Sequence, residues 1–489
     1  SNRLVEGKAL YNIGNVYETQ GKYDKALECY QKRLIIAREF GDQHGESLAL
    51  NSIGNLYIIY IENYSQGIDY CQQSLAIAKQ INDPDAEGNA LGNIGIAFLC
   101  LKDYSKAIEF LEQQLNITRL IGNRQKQGNA LCNLGNVYYD LKNYDRAIEY
   151  FQQQLDITTE IGDRLGIVRA LYNLGNAYNA LKNYEYGIEY YQQSLHITQS
   201  IGVRLEEAKI MNTIAFAYLS LKDYTKAIEY YQKSIFIAKS IGDTKTQEKA
   251  VSNIANAYFF IGEFTQAIDW YQQYLEMGKQ LGFDRASEAR ALGNLGIAYK
   301  SLGNYSAAID CYQQSLTLSR EIGERNQEGE RFKNLGNAYN SLGDYPKAID
   351  YYEQSLIIAR EIGDREWEGG ILRNLGNTYG CLKDYHQAIQ YYHQHLAIGL
   401  QIQNRLMQEQ ALLDLCHASC KLRDYAKAIE YNQEYLGLVQ PKQIRFNQNI
   451  QFEYLVFKDS IPTLFNLFDE NESFIDVPLP CNANNDLYN

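Results

Sequence analysis

The 489 residues predict an all-α solenoid of eleven helix–turn–helix repeats, and three observations lead to it. A Gly, or a small substitute, recurs at positions 14, 54, 95, 135, 175, 215, 255, 296, 336, 376 and 416, 40 residues apart in eight of ten steps and 41 in two. The string around it returns with it: Asn133-Leu134-Gly135-Asn136-Val137-Tyr138 is followed by Asn173-Leu174-Gly175-Asn176-Ala177-Tyr178 and later by Asn334-Leu335-Gly336-Asn337-Ala338-Tyr339. Each unit also holds two stretches of helical pattern with turn residues between them. A pair of helices this small cannot bury its apolar face alone, so neighbours have to stack.

The first helix of each repeat surrounds the Gly and places a Tyr three residues after it, as at Tyr17, Tyr138, Tyr178, Tyr218, Tyr339 and Tyr379. The second opens on Asp or Asn before an aromatic, as in Asp223-Tyr224, Asp344-Tyr345 and Asp384-Tyr385, where a short acceptor can cap the unpaired N–H groups of a helix start. Ala follows twelve residues after most of the anchors (Ala26, Ala107, Ala147, Ala227, Ala348, Ala388) and lets the two helices approach closely. Most second helices end in a sequence such as Ile161-Gly162-Asp163-Arg164, with Gly suited to the left-handed residue that closes a helix. Three departures stand out. Repeat 2 has an extra residue near Tyr60-Ile61-Glu62, a second lies near Gly282-Phe283-Asp284, and repeat 11 loses several signatures (Cys416, His417, Ser419, Asn432) as a terminal repeat would.

The pattern L-G-x-x-Y followed by A-x-x-x-F/Y resembles the tetratricopeptide repeat in a long form of about forty residues. Over roughly residues 5–438 it is similar to the repeats of the Pins/LGN spindle-orientation adaptors, of kinesin light chain and of bacterial, especially cyanobacterial, arrays. The resemblance implies a right-handed superhelix (residues 1–438) whose first helices line a concave wall where ligands lie. Residues 439–489 then form a C-terminal capping segment and an acidic-aromatic tail. The resemblance fixes a fold and a class, not a partner.

Composition narrows the class. Lys+Arg 46 against Asp+Glu 59 gives a net charge of −13, the wrong sign for a general nucleic-acid binder. Only 6 prolines with 45% apolar residues exclude a mostly disordered chain, and no apolar run approaches a membrane span. Nine cysteines without a framework suit a reducing compartment, and with no apolar signal core the expected location is cytoplasmic. The opening Ser1-Asn2-Arg3, without a methionine, suits a piece of a longer chain. No nucleophile elbow, zinc-helix signature or phosphate loop is present, so neither enzyme activity nor a cofactor is expected. Cys416-His417-x-x-Cys420 reads as a degenerate last repeat rather than a metal site, and His386, His393 and His395 as a solvated face.

On the first helices, positions −6, −3, +1 and +4 from the Gly share one stripe. At +1 stand Asn15, Asn55, Asn136, Asn176, Asn256, Asn337 and Asn377, which the family resemblance supports as ligand-facing amides able to hold a peptide main chain. Eight Asn at −2 are expected to stiffen the stack instead. Positions −6 and −3 supply Lys8, Arg169, Lys209, Lys249, Arg290, Lys333 and Arg373 against the single acid Glu330. A basic stripe on an acidic body would attract an acidic partner. Repeats 3, 6 and 8 replace the +1 Asn by Ile96, Phe216 and Ile297, and with Leu219 and Phe259 at +4 they add apolar anchors. The expectation is a scaffold or adaptor that binds an acidic peptide, centred on repeats 5–10. The alternatives are a regulatory arm of a larger signalling enzyme or a self-assembling solenoid. The stretch 468–476 has the acidic-aromatic character of such a ligand, so the chain's own tail is one candidate partner.

Overall fold

The computed structural model describes residues 2–439; the expected capping helix around 448–468 and the acidic stretch 468–476 lie outside them. The described residues form 22 helices and no strand, from Asn2–Thr19 to Tyr425–Val439, in eleven helix–turn–helix repeats stacked as a solenoid. Residues up to Ile261 make one compact unit and those from Gly262 a second, the division falling in the turn of repeat 7.

Repeat 5 shows why the sequence folds this way. Asp163 caps the first helix, Arg164–Ala180, by accepting the Gly166 N–H at 3.0 Å. Gly175 then faces the second helix, Tyr184–Ile201, where a Cβ would lie 2.4 Å from the fully buried ring of Tyr191. The same relation binds Gly14 to Tyr30, Gly135 to Phe151, Gly336 to Tyr352 and Gly376 to Tyr392, so the anchor is small because an aromatic sixteen residues later fills its space. A Ser three residues beyond that aromatic ties the helices together: Ser194 donates to the Val168 carbonyl at 3.0 Å, Ser234 to Ala208 at 2.7 Å, Ser315 to Ala289 at 2.6 Å and Ser355 to Gly329 at 2.8 Å.

The abundant tyrosine is packing material. Tyr138 stacks on Tyr150, Tyr178 on Tyr190 and Tyr218 on Tyr230 in the first unit, and Tyr339 on Tyr351 and Tyr379 on Tyr391 in the second, with centroids 5.3 to 5.6 Å apart. Several pairs carry a cation over the ring, Lys226 on Tyr218 at 5.1 Å and Lys347 on Tyr339 at 5.0 Å.

The turn inside each repeat needs a left-handed residue. Gly21, Gly303 and Gly343 supply it freely, but Lys102, Lys142, Lys182, Lys222 and Lys383 adopt φ of 59 to 62° there. A side chain in that region costs about 1–2 kcal/mol, partly offset by the stiffer unfolded chain. Lys142→Gly and Lys182→Gly are therefore expected to raise stability by roughly 0.5–1 kcal/mol each, read as a higher urea midpoint. A lower midpoint would show that the lysine side chains contribute more than their backbones cost.

Successive repeats are joined by an acid eight residues before the anchor. Glu328, half of whose bonding comes from the preceding second helix, receives Arg320 Nε at 2.8 Å and Arg325 Nη1 at 2.7 Å; Glu368 receives Arg360 Nε at 2.8 Å and Arg365. Burial pushes the Glu328 carboxyl up, but the bonds from Arg320 and Arg325 outweigh it and the net shift is downward. Because the folded pKa is depressed, this stability is present above the ordinary Glu range near pH 4.3 and lost as pH falls below it. Glu328→Gln should lower stability at pH 7 by about 1 kcal/mol and flatten the loss of Tm between about pH 5 and 3. An acid limb as steep as that of the parent chain would contradict this.

The expectation for the histidines needs one correction. His395 is 1% exposed and occupies the place of the buried Ser in repeat 10. Burial, and then the charge of Arg373, push its pKa down to about 4, so it is a neutral core residue and not part of a solvated face. His393 is exposed and pairs with the Tyr431 hydroxyl at 3.1 Å.

Candidate functional site

First helices touch the first helix of the next repeat, as Gln43–Ile59 does Pro84–Cys100 and Arg204–Ser220 does Thr244–Ile261 in the first unit, and Arg325–Leu342 does Arg285–Ser301 in the second. No comparable contact joins successive second helices among the described residues, so the first helices form the inner wall of each unit. The stripe read from the sequence lies on this wall.

The +1 asparagines are half-buried or exposed there, but several are not free at both ends. Tyr30 donates to Asn15 Oδ1 at 2.7 Å, Tyr191 to Asn176 at 2.7 Å, Tyr352 to Asn337 at 2.7 Å and Tyr392 to Asn377 at 2.8 Å. The amide oxygen is thus used by the tyrosine under the anchor glycine, which fixes the side chain and leaves the Nδ2 donors. Asn374 uses one lone pair of the same Asn337 oxygen at 3.4 Å. Asn55 donates to Glu18 at 3.3 Å, and Asn136 points at the Cys132 sulfur at 4.0 Å. Asn256 is half-buried at the same register. The expected row of amides offering donor and acceptor alike is narrowed by these tyrosines: the structure leaves mainly donors. In repeats 6 and 8 the amide is missing, and the buried hydroxyl of Tyr231 lies close to Asn253 of the next repeat instead.

The cations divide into two kinds. On the inner wall of the first unit Arg169 and Lys249 are exposed and form no ion pair among the described residues, while Lys209 meets only Glu206, one turn away on its own helix, at 2.9 Å with both side chains solvated. Such an exposed pair is worth about 0–1 kcal/mol and yields readily to a ligand. In the second unit Lys333 is half-buried and forms no ion pair among the described residues, and Arg290 donates to Ser287 at 2.9 Å. Arg373 does not behave as expected: its Nε binds Asp414, 41 residues on in the next repeat, at 2.6 Å, so this half-buried cation is committed to the stack. Among the apolar positions Phe216 is 49% exposed on the stripe, whereas Phe259 is half-buried with its ring edge-on to Phe260.

One feature of the wall escaped the sequence reading. A cleft of about 420 Å³ crosses repeats 2–5, lined by Asn51, Asn55, Asn89, Asn93, Asn129 and Asn133 with Gln114, Lys126 and Arg169. Its signal was Asn89 and Asn129 at −6, where the next four repeats carry cations, and Gly92 at −3. No group of three side chains able to hold a metal occurs among the described residues, and none of their helices is long and apolar enough to cross a membrane.

The comparisons with known proteins follow the same lines. A tetratricopeptide-repeat family model matches residues 48–119, 126–200, 167–240, 246–321 and 331–401, and another of that description matches 7–35. A model described as anaphase-promoting complex subunit 5 matches 379–445. No curated protein matches the sequence. Among solved structures, the chain is similar to a signal-transduction ATPase with a tetratricopeptide-repeat sensor from Pyrococcus horikoshii, at 15% identity and TM-score 0.50, covering 76% of this chain and 52% of that one. It is similar to the quorum sensor NprR from B. thuringiensis at 15% identity and TM-score 0.44, covering 74% of this chain and 100% of that one. BtubC from P. vanneervenii, at 18% identity and TM-score 0.39, covers 47% of this chain and 98% of its own length. With the repeat model matching more than half of the sequence and each matched stretch folding as paired helices, the chain belongs to the tetratricopeptide-repeat family.

Proposed function

We propose that this protein is a non-catalytic scaffold that binds an acidic polypeptide segment on the wall of its first helices. The observation that carries the reading is the state of the cations in the first unit. Arg169 and Lys249 form no ion pair among the described residues and Lys209 only a solvated one, on a chain whose net charge is −13. Cations left unpaired on an acidic body favour an anionic ligand and repel a basic one. The fixed Nδ2 groups of Asn15 and Asn176 in this unit, and of Asn337 and Asn377 in the second, suit peptide carbonyls, and the exposed Phe216 suits an apolar anchor between carboxylates. In the second unit Lys333 and Arg290 supply the same chemistry on that unit's own wall.

A titration tests this with an acidic, aromatic-bearing peptide and its twin in which every Asp and Glu is replaced by the amide. The acidic form should bind and weaken steeply as salt rises, and the amide twin should bind at least tenfold less well. Equal binding of the two would overturn the acid preference. A second reading makes these repeats the sensor arm of a longer signalling protein. The likeness to the P. horikoshii ATPase, of which this chain covers about half, favours it, and a catalytic domain in the same reading frame would decide for it.

A further inference from the structure

The cleft across repeats 2–5 differs from the basic stripe in kind. Its lining has no acid, and of its two cations Lys126 is neutralised by Asp85 at 2.7 Å. Beside Arg169, the rest of the lining is mostly carboxamide, with Ser52, Ile96 and Cys132 among it. Asn93 Nδ2 already bonds Asn51 Oδ1 at 3.0 Å, and Asn55 is turned to Glu18. Asn89, Asn129 and Asn133 have no side-chain hydrogen bond among the described residues, so each presents a donor and an acceptor to the cleft.

The floor beneath these asparagines is also an amide. Gln114 stands on the second helix Tyr104–Leu120, in the column that holds a small buried Ser in repeats 5, 6, 8 and 9 and Gln154 in repeat 4. It is 6% exposed, and a Cβ on the buried Gly92 would fall 2.4 Å from its Nε2, so the glutamine amide packs directly under the glycine backbone of the cleft.

We propose that this cleft is a second binding site whose ligand is an uncharged, amide-bearing chain segment rich in Asn and Gln side chains, with a single carboxylate at the end that reaches Arg169. A primary amide offers one donor and one acceptor, which match those of Asn89, Asn129 and Asn133 in pairs, as Asn93 and Asn51 already match each other. Carboxylates over the amides would lose their hydration with no cation to replace it, so acidic ligands are excluded from the middle of the cleft. The volume suits a few residues of an extended chain. The site shares the inner wall with the proposed acidic-peptide face but does not depend on its acid preference.

The test uses the full chain and three amidated probe peptides of alternating Asn and Gln ending in one Asp. One is unmodified, one has every Asn and Gln replaced by Ala, and one has them replaced by Glu. The unmodified probe should bind at least tenfold more tightly than either of the others. Asn89→Ala/Asn129→Ala, at a half-buried and an exposed position, should weaken it at least fivefold. Circular dichroism should show intact helices in this variant. The acidic peptide of the preceding titration is measured on the same variants, so failure of one reading leaves the other standing. A Glu probe that binds as tightly as the Asn/Gln probe, or unchanged affinity in the Asn89→Ala/Asn129→Ala chain, would overturn the proposal.

Discussion

Lys209→Glu/Lys249→Glu is expected to weaken binding of an acidic peptide at least a hundredfold, about 3 kcal/mol. The two reversals change the local charge by four units, and each contact with a peptide carboxylate at a solvated surface is worth up to about 1 kcal/mol. The loss of the Lys209–Glu206 pair adds little, since both groups are exposed. The neutral pair Lys209→Gln/Lys249→Gln should fall between parent and reversal, and added salt should shrink the differences among all three. Both positions lie on the solvent side of their helices, so thermal unfolding should shift by less than about 0.5 kcal/mol equivalents. Anisotropy titration of a labelled peptide reads the affinity. A reversal variant that binds like the parent chain would move the site off this wall.

Gly175→Val is expected to destabilise the first unit by about 3 kcal/mol, the largest stability effect of a single surface-free substitution foreseen here. The Cβ alone would meet Tyr191 Cε1 at 2.4 Å, Cδ1 at 2.6 Å and Cζ at 2.9 Å. That ring has no room to retreat: it is fully buried, and its hydroxyl is held by Asn176 at 2.7 Å. Repeat 6 shows the limit of tolerance. There Ala215 stands sixteen residues before Tyr231, and the partner asparagine has become Phe216. Repeat 7 likewise has Ala255 sixteen residues before Tyr271, with Asn256 kept, so one methyl is tolerated at the anchor with or without the asparagine, whereas a β-branched side chain adds two more carbons against the ring. Asn176→Ala, which removes only the hydrogen bond, should cost about 1 kcal/mol by urea denaturation. A Val variant within about 0.5 kcal/mol of the parent would show that the anchor glycine is not set by the ring.

The repeat period and its punctuation were legible because they are local. Asp223, Asp344 and Asp384 each cap the helix they precede, and Gly162, Gly202, Gly242 and Gly363 each take the left-handed conformation. What the sequence did not display depends on residues on different helices. The acceptors of Asn15, Asn176, Asn337 and Asn377 are each taken by a tyrosine fifteen residues later, a relation that exists only once the two helices face each other. Arg373 is neutralised from the next repeat by Asp414. His395 stands in a core column that holds serine in repeats 5, 6, 8 and 9, and no local pattern distinguishes it from exposed His393. The amide cleft needs three columns from neighbouring repeats at once: the −6 asparagines, the −3 glycine and a glutamine beneath it. The basic stripe was visible in single positions; which of its cations remain available was not.

The claim that the first helices carry the partner is tested most directly by photo-crosslinking. A benzophenone side chain is placed at Phe216, on the inner stripe, and separately at Phe236, which is 77% exposed on the second helix Tyr224–Ile241. Both positions are aromatic and solvent-facing, so neither replacement disturbs the core. Crosslinking of an acidic peptide from position 216, suppressed by excess unlabelled peptide and absent from position 236, is the result this account predicts. Efficient crosslinking from 236 with none from 216 would place the ligand on the outer helices and contradict it.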